Sequence, residues 1–353
     1  MKKIVGVVLL VFLSTSIAIT AQKANPASDF EYDISSDGEG ITIKKYLGSE
    51  KNVIIPSVIE DFPVVELQSG IFKETDIESV VIPDSINYLG VHSFEACKSL
   101  EKVTLSKNLK SIGRSCFEGC KSLKEITLFE KISYIDILAF AYSGLESITI
   151  SNGITEIGSW AFAECKNLKT VVIGNGLQDI ANGVFFNCTA LTTVTIGDGL
   201  EMIGNKAFSG CTALTTVTIG DGLEIIEERA FDSCTALTYV TIGSGLKRIC
   251  GEVFNNCSAL TNFDIGEHEL NSKDAKFSRV TIEYDIYGHK IFHLDRTTIR
   301  RVYDGILGFR TVCDYNDTKE YWTGYGYNAF SGCSSLSLKE KKKIRDTGYT
   351  GEF

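Results

Sequence analysis

At residues 188–201 the chain reads CTALTTVTIGDGLE, and at residues 211–224 the same letters return unchanged. Aligning the whole chain on the Phe that follows each block extends the repetition. Phe72, Phe94, Phe117, Phe140, Phe162, Phe185, Phe208, Phe231 and Phe254 stand 22, 23, 23, 22, 23, 23, 23 and 23 residues apart. Three residues after the Phe comes Cys97, Cys120, Cys165, Cys188, Cys211, Cys234 or Cys257, and three further on a Leu such as Leu191 or Leu214. An apolar-x-apolar pair follows, Val194 and Ile196 in one unit and Val217 and Ile219 in the next. Both 22-residue steps begin where Thr75 and Ser143 replace the Cys. A residue and a thiol are lost together, so the Cys reads as a space-filler in the full-length turn.

The V-x-I piece alternates apolar and polar, which is strand periodicity. Leu200, Ile203, Ala207, Phe208, Cys211 and Leu214 are spaced 3, 4, 1, 3 and 3, nearer to helical or 3₁₀ spacing. One short strand and one short helical coil cannot bury an apolar face alone and must stack on copies of themselves. The fold expected is an α/β repeat solenoid of about 9–10 repeats of 22–23 residues, with a parallel sheet on one face, short helical or 3₁₀ turns on the other, and a cap at each end.

The unit IGNKAFSGCTALTTVTIGDGLEM resembles the BspA-like leucine-rich repeats, whose typical unit is I-x-x-I-G-x-x-A-F-x-x-C-x-x-L-x-x-V-x-I-P. The likeness runs over about residues 40–266, with one more copy, YNAFSGCSSLSL, at 327–338. Gly174, Gly197, Gly220 and Gly243 stand where the family has its turn Pro, which Pro56 and Pro83 keep. The resemblance implies a right-handed leucine-rich repeat superhelix. It also implies an exported bacterial surface protein without enzymatic activity, of a kind implicated in adhesion to host matrix components.

Residues 1–21 read as a secretory signal peptide: Lys2 and Lys3, an apolar run from Ile4 to Leu13, then small residues up to Ala21. The run is shorter than the roughly 20 apolar residues a spanning helix needs. The expected destination is the cell surface, the periplasm or the medium, with no membrane span left after cleavage. Residues 22–68 read as a β cap, 69–266 as the repeats, 267–326 as an irregular aromatic-rich insertion or C-terminal cap, and 327–353 as a last degenerate repeat with a basic, helical end. A net charge of -10 argues against nucleic acid as a partner.

The Phe and Cys columns point inward, and the residues flanking the apolar pair point outward. Nine stacked strands would give a face ~38 Å long at the usual strand spacing. Its neutral rungs carry Thr193, Thr195, Thr216, Thr218, Tyr239 and Thr241, which we take as the candidate partner-binding face for a protein on a host or neighbouring cell. Strand propensity accounts for the Thr rows without invoking an ice-binding array. A second candidate is the aromatic patch Tyr321, Trp322, Tyr325 and Tyr327, which could hold a glycan or close the end of the solenoid. Eleven Cys in an exported protein invite disulfides, but the column reads better as free, packed thiols. His289 and His293 have no third ligand in reach, DYNDTKE at 314–320 lacks the Gly of a calcium loop, and no nucleophile or phosphate motif appears. No cofactor or metal is expected, and an enzyme in 267–326 is the remote reading.

Overall fold

The computed structural model describes residues 23–36 and 38–265, four strands between 280 and 313, and a few residues from 333 to 344. Residues 1–21, read above as a signal peptide, lie outside them. The described chain winds as a parallel β-solenoid. Each coil contributes a strand of up to four residues, such as Thr193–Ile196, and one of two residues, such as Met202–Ile203. Equivalent residues pair without offset: Thr193 with Thr216 and Thr216 with Tyr239, Val194 with Val217 and Val217 with Val240. The alternation is as the sequence dictates, since Val194 and Ile196 are buried while Thr193 and Thr195 are exposed.

The longer strands form one sheet of six, from Ser147–Ile150 to Asn262–Ile265, and another of three, Asn52–Ile54, Ser79–Val81 and Lys102–Thr104. Between the two, residues 125–128 join no ladder, and the inward Val103, Ile126 and Leu128 are only half-buried. The face therefore consists of two ladders, of which the larger spans ~24 Å at normal strand spacing.

The side of the coil that carries the Phe differs from the helical expectation. Among the described residues up to 265 the only helix is the 3₁₀ turn Ala27–Asp29. In the coil from Gly204 to Cys211, the N–H groups of Ala207, Ser209 and Cys211 donate back three residues, to the carbonyls of Gly204, Lys206 and Phe208. The N–H groups between them, on Lys206, Phe208 and Gly210, donate to Glu228, Ala230 and Asp232 of the next coil. An α-helix keeps these N–H groups within its own segment. Here every second one joins neighbouring coils, and the chain becomes a run of tight turns. That alternation is made possible by left-handed residues two before and two after each Phe, from Gly70 (φ 71°) and Glu74 (60°) to Glu252 (56°) and Asn256 (58°). The 3- and 4-residue apolar spacing survives because the same side of each turn faces the core.

Inside, the nine Phe rings form one stack, with centroids 5.1–5.5 Å apart and planes within 15° of parallel. Tyr46 packs on Phe72 at 5.3 Å and Phe30 on Tyr46 at 5.5 Å, so rings from Phe30–Ile34 and Ile41–Tyr46 close the N-terminal end. At the other end Phe263 meets Phe254 edge-on at 75°. A buried Phe of this kind is worth about 3–5 kcal/mol over Ala.

Beyond residue 265 two antiparallel pairs are described, Val280–Tyr284 with Lys290–Leu294 and Ile299–Asp304 with Gly308–Cys313. The Cys333 thiol then donates to the carbonyl of Phe254, 79 residues back, where the equivalent bond spans 26 in the full-length coils and 25 in the two short ones. Fifty-three extra residues thus interrupt one coil, and Cys333 with buried Leu336 resumes the stack as the next rung. Lys341 and Ile344 are helical, and Ile344 is buried.

Candidate functional site

The Cys column is the first place to look for chemistry. Each thiol donates to the carbonyl of the Phe one coil back: Cys97 to Phe72 at 2.8 Å, Cys120 to Phe94 at 3.1 Å, Cys188 to Phe162 and Cys211 to Phe185 at 3.2 Å. Where the Cys is missing, the Thr75 hydroxyl donates to its own Phe72 carbonyl at 2.7 Å, and the Ser143 hydroxyl lies 3.3 Å from the Cys165 sulfur. Among the described side chains ten Cys stand outside any disulfide, nine of them buried. Burial pushes the Cys165 thiol up to about 11 and that of Cys211 to about 12. A thiol that stays protonated at neutral pH keeps its S–H, a weak donor, and attacks poorly. The column is therefore packing and hydrogen bonding.

The Gly-Asx-Gly corners form a second column. Asn152 Oδ1 accepts the Asn175 N–H at 2.8 Å, Asn175 Oδ1 the Asp198 N–H at 3.1 Å, and Asp221 Oδ1 both the N–H and the hydroxyl of Ser244 at 2.8 and 3.1 Å. The Ser244 bonds hold the Asp221 carboxyl below its usual range. A Cβ on Gly245 would sit 1.8 Å from the Asp221 carbonyl oxygen, so the corner needs Gly for the coils to close. Beside this corner lies an open groove of ≈ 500 Å³ lined by Asp198, Asp221, Ile219 and Thr241. Among the described residues no group of three or more His, Cys, Asp or Glu could hold a metal ion.

The predicted partner face is brought together as one surface. Thr193, Thr195, Thr216 and Thr218 are exposed, Tyr239 is 40% exposed, and Thr241 is half-buried at the rim of the groove. All six share the six-stranded sheet, with Thr195, Thr218 and Thr241 in one row and Thr193, Thr216 and Tyr239 in the other. Tyr321, Trp322, Tyr325 and Tyr327, like His289 and residues 314–320, lie outside the described residues. His293 sits in the strand Lys290–Leu294, opposite Thr281.

One surface escaped the reading of the sequence. On the turn side Trp160 stands in left-handed backbone (φ 63°), its indole meeting the Phe186 ring edge-on at 5.2 Å. Ile137 and Leu138 are half-buried one coil before, and Tyr142 is 50% exposed. The slot two residues before the Phe also holds His92, Lys206 and Arg229, so no column pattern announces it.

A solved leucine-rich repeat protein of T. pallidum is 32% identical, matching 54% of this chain and 91% of its own at a TM-score of 0.52. One from Bacteroides ovatus is 22% identical over 67% of this chain and 89% of its own, TM-score 0.41. The pneumococcal vaccine antigen PcpA is 20% identical over 70% and 82%, TM-score 0.41. No curated protein matches the sequence. Among the described residues no helix is long and apolar enough to cross a membrane. The model for the BspA type leucine rich repeat region matches six copies across residues 65–192 and 178–300, coinciding with the coils built on the Phe stack, and the chain belongs to that family.

Proposed function

We propose that the protein is an exported, non-catalytic binding protein that engages a protein on a host or neighbouring cell through the face of its six-stranded sheet. The observation that carries this reading is the two-row array of Thr and Tyr on regular, hydrogen-bonded strands: uncharged over three rungs, exposed except for half-buried Thr241, and backed by buried Val and Ile. Solenoid faces of this kind serve commonly as extended interaction surfaces, and the leader-like residues 1–21 supply the route out of the cell. The likeness to bacterial leucine-rich repeat proteins supports the same direction by analogy of fold.

The test is binding of the purified protein to a panel of immobilised extracellular-matrix proteins, with Tyr239→Ala and the double variant Thr216→Lys/Thr218→Lys compared against the parent. All three sites are exposed, so the variants should remain folded. The expected result is a matrix ligand whose affinity falls by at least tenfold, about 1.4 kcal/mol, in the charged variant. Equal binding by folded variants removes the sheet face from the account.

A further inference from the structure

The ladder break at 125–128 coincides with two departures from the repeat. The residue after each V-x-I pair turns the corner, and from Pro83 to Gly220 that slot holds Pro, Ser or Gly with one exception, Phe129. The slot is tight because it faces the corner of the coil before. A Cβ on Gly174 would come within 2.3 Å of Asn152 Oδ1, and one on Gly197 within 2.0 Å of Asn175 Oδ1. Ser106 is fully buried in this slot, whereas Phe129 is only half-buried. A ring takes the place of a hydroxymethyl group only by displacing what surrounds it. The second departure lies next along the chain. Asp84, Asn152 and Asn175 each accept, through Oδ1, the N–H of the corner one coil on. Lys107 and Glu130 hold the same position, and their longer side chains make no such bond among the described residues.

The backbone registers both. The N–H groups of Gly174, Gly197 and Gly243 donate to the carbonyls of Ile150, Ile173 and Ile219. At Phe129 that bond is missing, and the N–H and C=O groups of residues 125–128 make no hydrogen bond among the described residues. Both ends of the segment are nevertheless pinned. The Lys124 carbonyl accepts from Glu146 at 2.9 Å, the Phe129 carbonyl accepts from Ile132 at 3.0 Å, and Tyr134–Ile135 pairs with the coils on either side. Beside the segment lies an open groove of ≈ 590 Å³ lined in part by Glu130 and Ser151. Backbone outside a ladder opens at a smaller free-energy cost than backbone within one.

We propose that residues 125–128 form a flap in the sheet face that opens and closes independently of the rest of the solenoid, held out of the ladder by Phe129. The core beneath is continuous, with Phe117 and Phe140 stacked at 5.2 Å, so the movement is confined to the face. It leaves Ser147–Ile150, the end strand of the six-stranded sheet, with an unpaired edge in mid-solenoid, the kind of edge on which another strand can pair. The flap does not depend on the partner proposed for the Thr face.

The test is hydrogen–deuterium exchange of the full chain read by mass spectrometry. Corrected for intrinsic rates, the amides of 125–128 should exchange about 100-fold faster than those of 171–173 and 194–196. Phe129→Ser, which copies Ser106 and Ser151, should slow them about tenfold and leave 171–173 unchanged. Phe129→Gly, the residue of the later coils, is a second variant with the same expectation. Protection of 125–128 equal to that of 171–173 in the parent overturns the proposal, because the ladder would then be closed. So does unchanged exchange at 125–128 in a folded variant, and so does faster exchange throughout the solenoid, which would make Phe129 a support of the core.

Discussion

A single Cys shows how much one repeated letter is asked to do. Cys211 is buried, packs between coils, and donates its S–H to the Phe185 carbonyl at 3.2 Å. Its place in the core was legible from its constant distance to the Phe. Its hydrogen bond was not, because the acceptor belongs to the preceding coil. Burial raises the thiol from 9.0 to about 12, so folding gains from the neutral thiol fully below pH ~9. Above that the unfolded chain ionises while the folded one does not, and stability falls by about 1.4 kcal/mol per pH unit for this one thiol until the folded value is reached. Cys211→Ser keeps a donor, as Ser143 does naturally one column position away from a Cys neighbour. Urea midpoints from pH 8 to 11 should show a shallower alkaline decline in the variant than in the parent. An unchanged slope would mean that the thiol is solvated or already ionised.

At the scale of the element, the turn strand is where the sequence misleads. The spacing of Leu200, Ile203, Ala207 and Phe208 reports which side chains face inward, and both a helix and a run of tight turns meet that requirement. What separates them is where the N–H groups go, and the left-handed slots that decide it are filled by residues as different as Glu74, His92, Leu138 and Asn256. The ladder break at 125–128 was equally hidden, since Ile126 and Leu128 fit the V-x-I pattern of every other coil. The Trp160 surface was missed for the same reason as the turns: its slot carries no recurring residue type. Gly119 gives a test with a sign. It lies at φ 72°, and a Cβ there would meet Ala96 Cα at 3.6 Å, an ordinary contact. In a helix Gly119→Ala would stabilise by about 0.5–1 kcal/mol. In the left-handed turn it should destabilise by about 1 kcal/mol, read as a lower midpoint in chemical denaturation. A rise in midpoint would restore the helical description.

Across the described coils the same contacts recur: one Phe stack, one thiol column, one corner column, and ladders of the longer and of the two-residue strands. Such a structure is quasi-one-dimensional, each coil touching only its neighbours. This much was written in the period itself, which also breaks after residue 266 and offers one more copy at 327–338; the bond from Cys333 to Phe254 is what joins that copy to the stack. The block CTALTTVTIGDGLE is then a unit of stacking, duplicated without a reaction attached to it. Deleting residues 189–211 joins Cys188 to Thr212 in the repeat's own phase and removes one rung with its Phe208. The most direct measurement is the equilibrium unfolding of that deletion beside solution scattering of its length. The account predicts a cooperatively folded protein, less stable than the parent and shorter by about 4.8 Å. A chain that fails to fold after losing one exact repeat would contradict it.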